Sequence, residues 1–233
     1  MSNSSEFYKF SHNYREIHNK NLELTGYSSS YFAQRKIREI SNQIKNRNEP
    51  LRILDLGCGD GLCTFFLQNY FPNAYLHGLD ISNRIIKKAQ HRKISKSKFS
   101  TYDGKHIPYD DEYFNIIMIA NMLHHVADVG NQILILSQCY RILKKTGTLF
   151  VFEHNPLNPI TRHIVNNCVF DKDAVLITHY KMNKILGYTG FVTTCRFIHF
   201  LPAFLHRLEF LEKRLWRVPM GGQYYYTCIK KTH

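Results

Sequence analysis

Nine residues, Ile53-Leu54-Asp55-Leu56-Gly57-Cys58-Gly59-Asp60-Gly61, run from an apolar strand pattern into a glycine-rich turn just ahead of a helical pattern. An open α/β sheet binds its ligand at such a point, in the crevice beyond the carboxyl ends of its strands. Glycine lets the backbone turn tightly and approach a ligand with no Cβ in the way. Nineteen residues past Gly61, Asp80 ends a second strand pattern. A carboxylate there can accept both hydroxyls of a ribose.

The glycine spacing is GxGxG, and Leu62 stands where a dinucleotide fingerprint carries its third glycine. Asp60 puts a carboxylate where a pyrophosphate needs amides and positive potential. S-adenosylmethionine (SAM) has no phosphate, and its methionine end carries a cationic amine and a cationic sulfonium. An acidic loop suits that ligand better.

The elements that must hold these residues follow from the apolar patterning. A helix is expected from 29 to about 46, with Asn48-Glu49-Pro50 breaking it. Strand patterns at 51–57, 74–80, 98–103, 113–120 and 148–154 alternate with helical ones at 63–70, 83–94 and 132–143. Such alternation implies right-handed crossovers and a parallel sheet covered on both faces. Beyond 154 the rhythm changes. Two short helices (about 160–169 and 178–187), a strand at 191–201, an amphipathic helix at 203–217 and a last strand at 223–230 are expected. One domain accounts for all 233 residues.

The strings 53–61 and 77–82 resemble motifs one and two of class I SAM-dependent methyltransferases. The likeness continues through Asp103-Gly104 and Ile107-Pro108-Tyr109, then through 114–126 and 141–154. It is similar to the small-molecule branch that includes the ubiquinone and menaquinone methyltransferases, and its specific motifs cover roughly 50–154. The resemblance implies a Rossmann-like seven-stranded α/β sheet, mostly parallel with one antiparallel strand near the C-terminus, and helices on both faces. It also implies SAM as cofactor, with S-adenosylhomocysteine as product.

Carried over by position, Asp55, Gly57, Cys58, Gly59 and Gly61 cradle the methionine portion. Asp80 and Ile81 hold the ribose, Asp103 and Gly104 meet the adenine, and Asn121 and Met122 line the methyl-transfer pocket; Tyr14 is counted on the cofactor side as well. Two departures stand out. The turn that usually reads Lys-Pro-Gly-Gly is Lys144-Lys145-Thr146-Gly147, and Asn115 replaces an acidic residue at the start of the fourth strand.

Methyl transfer asks the protein to position an acceptor and, for a hydroxyl, to take its proton. His125 is the first candidate base and His124 the second, because histidine titrates near neutral pH. Two adjacent histidines point different ways, so one of them is expected to face the acceptor. Tyr14, Glu153, His154 and Arg162 are further acceptor-site candidates. Residues 1–30 and the insertion 155–190 are expected to cap the acceptor pocket. The spacings of the thirteen histidines make no metal cluster, and Asn155-Pro156-Leu157 follows the wrong strand for a nucleic-acid amino methyltransferase.

Lys and Arg number 31 against 18 Asp and Glu, a surplus of +13. This favours anionic partners. An RNA or protein methyltransferase, or a SAM-binding protein without catalysis, is therefore carried beside the small-molecule or lipid-linked acceptor. The stripe Phe204, Leu208, Leu211 and Leu215 with nearby arginines suits either a packed helix or peripheral membrane contact. No apolar run of 18 residues occurs, the N-terminus is polar, and the six cysteines form no CxxC pair. The expectation is a cytoplasmic protein with reduced, mostly buried thiols.

Overall fold

The computed structural model describes residues 19–231, apart from 21, 127 and 172. Seven strands form one sheet: β1 (Arg52–Leu56), β2 (Tyr75–Asp80), β3 (Ser97–Thr101), β4 (Phe114–Ala120), β5 (Leu143–His154), β6 (Phe191–Ile198) and β7 (Gln223–Lys230), in the order β3-β2-β1-β4-β5-β7-β6. β1 to β5 pair parallel. β7 lies antiparallel between β5 and β6. The chain order reverses between β1 and β4, which puts the loops after those strands on either side of one crevice.

Side chains alternate across the strands and feed two cores. Leu54, Ile117, Leu149, Tyr224 and Tyr226 face one side. There they meet helices α4 (Val129–Ile142) and α6 (His179–Tyr188). Ile53, Ile116, Phe150 and Tyr225 face the other, against α1 (Ser29–Ser41) and α2 (Leu62–Tyr70). The helix α3 (Asn83–His91) closes the β3 edge with Ile86 and Ala89 on Phe99. The remaining helices are α5 (Pro159–Asn166) and the short α7 (Glu209–Leu215).

Three boundaries differ most from the patterning. α1 stops at Ser41 rather than near 46, its end turned by the Asn42 cap. β5 starts at Leu143, five residues early, because Leu143 pairs with Phe114 before the register breaks and resumes at Ile116 and Thr148. The expected helix 203–217 divides into a 3-10 segment, Ala203–Leu208, and α7. Glu209 and Glu212 of α7 pair with Arg35, and Glu209 also with Arg38, both on α1. Glu212 further accepts the Phe200 and Leu201 N–H groups. None of the six cysteines is in a disulfide, and four are buried.

Candidate functional site

The loop after β1 is built to stay close to the backbone. Gly57, Gly59 and Gly61 all have positive φ, between 53° and 78°. A Cβ on Gly57 would sit 2.6 Å from Cγ of Met122, so the loops after β1 and β4 touch through a glycine. The Gly57 and Cys58 N–H groups donate to the Leu79 carbonyl. Asp80, at the end of β2, accepts the Gly59 N–H at 3.0 Å on Oδ2 and the Ser82 N–H at 2.9 Å on Oδ1. Burial raises its carboxyl against those bonds.

Asp55 lies beneath the loop. It is buried and accepts the Thr64 hydroxyl at 2.7 Å, and burial pushes it up to about 7. Its part is to fix β1 to α2. Asp60 is paired with Arg92 at 2.7 Å, so the negative charge read from the sequence is already partly balanced.

A cavity of about 300 Å³ opens beside the loop. Of the sequence-derived cofactor set, Gly57, Cys58, Gly59, Asp80, Asn121 and Met122 line it, and both His124 and His125 do as well. Asp55, Gly61, Ile81, Asp103 and Gly104 are not on its wall. Ile81 is exposed and touches the space above Gly104. The exposed Asp103 carboxyl accepts the Lys105 and His106 N–H groups, which hold it below its usual range. Tyr14 lies outside the described residues.

The turn after β4 carries the ionisable cluster. Asn121 has φ 51°, a left-handed position that asparagine tolerates. A 3-10 turn, Leu123–His125, follows it. His124 is almost fully buried; its Nδ1 lies 2.5 Å from Oε2 of Glu153, whose Oε1 accepts the Leu123 N–H at 2.9 Å. Burial opposes a charge on His124, but the Glu153 and Asp171 carboxylates push it up to about 10. Glu153 in turn is held down by that imidazolium against the effect of its burial. His125 is driven the other way, to about 4, by burial and by the charge on His124. His154 falls to about 3 for the same two reasons, and the Asn121 amide donates to its Nε2 at 3.2 Å. Of the adjacent histidines, His124 is the clamped cation and His125 the neutral ring at the cavity.

Asp171 completes the cluster and was not foreseen. Its Oδ1 is 3.6 Å from His124 Nε2 and 3.5 Å from His125 Nε2. It comes from the segment after α5, which buried tyrosines of β7 pin to the sheet. The Tyr224 hydroxyl donates to the Ile177 carbonyl and that of Tyr226 to the His179 carbonyl. The Val175 N–H donates to the His124 carbonyl. The buried Lys36 and Gln223 and the half-buried His199 are also wall residues that sequence reasoning missed. His154 lines the cavity as suggested, whereas Glu153 and Arg162 are not on its wall. Residues 22–36 and 158–171 supply much of the remaining wall, including Phe32, Ile160, Ile164 and Val165.

The two departures in the sequence have structural roles. Asn115 Oδ1 accepts the Arg52 N–H at 3.0 Å and the Lys144 ammonium at 3.3 Å, at the opposite end of the strands from the cavity. Asn155 is buried and donates to the Pro219 and Gly221 carbonyls. That ties β5 to the turn before β7.

The residues present fit SAM. Gly57 and Gly59 clear the approach, a carboxylate at the end of β2 faces the same space, and the wall has no lysine or arginine in the glycine loop to call for a phosphate. Residues 53–147 match the family described as a methyltransferase domain. A demethylmenaquinone methyltransferase of Lactobacillus johnsonii is 32% identical over 116 residues, 47% of this chain and 46% of that protein. The demethylmenaquinone methyltransferase of Thermotoga maritima is 29% identical over 109 residues, covering 47% and 46%. The match therefore spans just under half the length of these relatives.

The whole fold resembles a solved SAM-dependent methyltransferase of Thermotoga maritima, with TM-score 0.69 and 19% identity over 97% of this chain and 99% of that one. Loop geometry, sheet order and matched segment agree: residues 53–147 match a methyltransferase domain and are similar to the quinone methyltransferases, and the fold around them is that of solved SAM-dependent methyltransferases.

Proposed function

We propose that the chain transfers a methyl group from SAM to an oxygen, carbon or nitrogen of a small-molecule acceptor. The observation that carries this reading is that one cavity joins the glycine loop and Asp80 to His125, Asp171 and His154. When bound, SAM supplies an electrophilic methyl on its sulfonium. Asp80 would accept the ribose hydroxyls, and the 57–61 backbone with Asn121 and Met122 would hold the methionine portion. Ile81, Asp103 and Gly104 would flank the adenine at the outer edge of the groove.

The segments 19–30 and 155–190 would form the acceptor side and keep water from it. His125, neutral at pH 7, would take the proton of a hydroxyl or ammonium acceptor, and Asp171 would steady the imidazolium formed. His124, already charged, would orient the turn and not act as a base. The test is calorimetric titration with SAM, S-adenosylhomocysteine and NAD, followed by transfer of labelled methyl from SAM to extract fractions. Binding of the first two and label in a small-molecule fraction support the reading; label in RNA or protein overturns its acceptor class. Binding with no turnover in any fraction leaves a SAM-binding protein without catalysis.

A lipid-linked acceptor is favoured by one further observation. Phe204 and Phe210 are 82% and 63% exposed, and Leu208 and Leu211 are also open to solvent. They follow directly on Leu201 and Pro202 of the cavity wall. An apolar stripe with Arg207 and Arg214 among it suits an anionic lipid surface. No helix among the described residues is long and apolar enough to cross a membrane. Flotation with acidic vesicles tests this: a Phe204→Ser, Phe210→Ser double variant should leave the vesicle fraction, and a wild type that never floats sinks the idea.

A further inference from the structure

The Nε2 atoms of His124 and His125 lie 3.6 and 3.5 Å from the same oxygen, Oδ1 of Asp171. The three donor atoms fall within 4.8 Å of one another. Zinc-like ions take nitrogen and carboxylate oxygen ligands at about 2.0–2.2 Å, which for a tetrahedron keeps the ligand atoms roughly 3.3 Å apart. The two spacings to Asp171 need only tenths of an ångström of adjustment, and the two imidazole nitrogens, within 4.8 Å of each other, have to close by up to about 1.5 Å. We propose that His124, His125 and Asp171 form a binding site for a divalent first-row transition ion of the zinc class, with an open position facing the cavity.

Two features support a built site. The first is the partner of His124. Glu153 Oε2 holds its Nδ1 at 2.5 Å, and Glu153 is itself fixed by the Leu123 N–H. Metal-bound histidines ordinarily carry such a carboxylate on the other ring nitrogen, which orients the ring and strengthens it as a donor. Here the arrangement leaves Nε2 aimed at Asp171. The second is the donor set: two imidazoles and one carboxylate with remaining positions open suit zinc, iron, cobalt or nickel over calcium or magnesium.

The two rings are also flanked by two carboxylates, Glu153 on Nδ1 of His124 and Asp171 on both Nε2 atoms. The step is an exchange: the ion forms a bond to His124 Nε2, and the proton on that ring goes to solvent. Other ionisable groups that face the cluster are His154 of β5, whose ring lies 5.3 Å from that of His124, Cys168, whose side chain is hydrogen-bonded to Asp171, and Lys36 of α1 on the same wall. Lys36, buried in that wall, works against the ion.

All three ligands line the cavity that also holds the glycine loop, so the open position of the ion faces the acceptor side. A metal there would lower the pKa of a bound hydroxyl. The ion and a proton compete for Nε2 of His125, so His125 acts as a base only in the metal-free protein. Binding of the ion is independent of whether methyl transfer occurs, and it is measured without turnover.

The experiment is titration of the untagged, chelator-treated full chain with Co²⁺, followed by visible absorption and by calorimetry in two buffers of different ionisation enthalpy. Expected are one Co²⁺ per chain, intense d–d bands of a four- or five-coordinate site, and net proton release near neutral pH. Asp171→Asn and His125→Gln should each weaken binding by at least about tenfold and bleach the bands, with metal-free thermal midpoints near that of the wild type. If Asp171→Asn does not fold, His125→Gln alone carries the comparison. Pale octahedral bands in the wild type, or bands untouched in the folded variants, would overturn the assignment.

Discussion

The imidazole Nδ1 of His124 donates to Oε2 of Glu153 across 2.5 Å, joining the turn after β4 to the end of β5 with both partners buried. Neighbouring parallel strands thus share a charged bond where their loops leave the sheet. The same bond orients the ring that faces Asp171.

Glu153→Gln would leave a buried imidazolium facing a neutral amide. Removing one partner of a buried pair costs about 3–5 kcal/mol, so a large fall in thermal midpoint is expected at pH 7. The same change should lower the pKa of His124, read from its ring resonances by NMR. An unchanged midpoint together with an unchanged His124 titration would show that the pair carries no charge.

The pH dependence of stability has a defined sign on each side of neutrality. His124 is raised to about 10 from an ordinary 6.5, so its contribution is full below about 6.5 and is lost as pH rises towards 10. His125 and His154 are lowered to about 4 and 3, and burial with nearby Lys98 and Arg52 takes His77 to about 4. These three stay neutral in the fold but become charged in the unfolded chain, so stability falls as pH drops from about 6.5 towards 4. Thermal melts from pH 4 to 10 should show a maximum between about 6 and 8. A midpoint still climbing at pH 9 would contradict the assignment of His124.

Asp80→Ala would remove the carboxylate proposed for the ribose and also the acceptor of the Gly59 and Ser82 N–H groups. Bonds to a charged acceptor are worth about 1.5–3 kcal/mol each. SAM and S-adenosylhomocysteine should therefore both bind at least roughly 10-fold more weakly by calorimetry. Equal affinity in the variant would remove Asp80 from the cofactor site.

Gly57→Ala places a methyl 2.6 Å from Met122 Cγ at φ 77°. Overpacking of this kind costs about 1–3 kcal/mol, and the backbone strain adds to it. Both the thermal midpoint and SAM affinity should fall. Met122→Ala in the same chain should restore part of the midpoint, since it removes the atoms in the way.

His125→Ala addresses the base reading. If His125 takes the acceptor's proton, labelled-methyl transfer should drop by roughly 10²–10⁴ with SAM affinity little changed. If His125 only walls the cavity, activity with a carbon or amine acceptor should persist. Steady-state transfer and calorimetry on the same preparation separate the two.

The alternation of apolar strands and helices was legible because each element's two faces are written locally. Ile53 and Leu54, or Phe150 and Leu149, go to opposite sides of the sheet by the strand period alone. The glycine loop and Asp80 were legible for a related reason: a tight turn needs glycine wherever it falls, and the loop and the end of β2 are neighbours in a parallel pair.

What the sequence could not supply is distance between segments far apart along the chain. Asp171 meets His124 and His125 only because Tyr224 and Tyr226, on the last strand, anchor the 168–179 segment through its backbone carbonyls. Those carbonyls carry no side-chain identity for a pattern to read. The same limit hid Lys36, His199 and Gln223 in the cavity wall. His124 and His125 are identical and adjacent in sequence; the Glu153 and Asp171 carboxylates make one a cation against the effect of its burial, and burial with that charge keeps the other neutral.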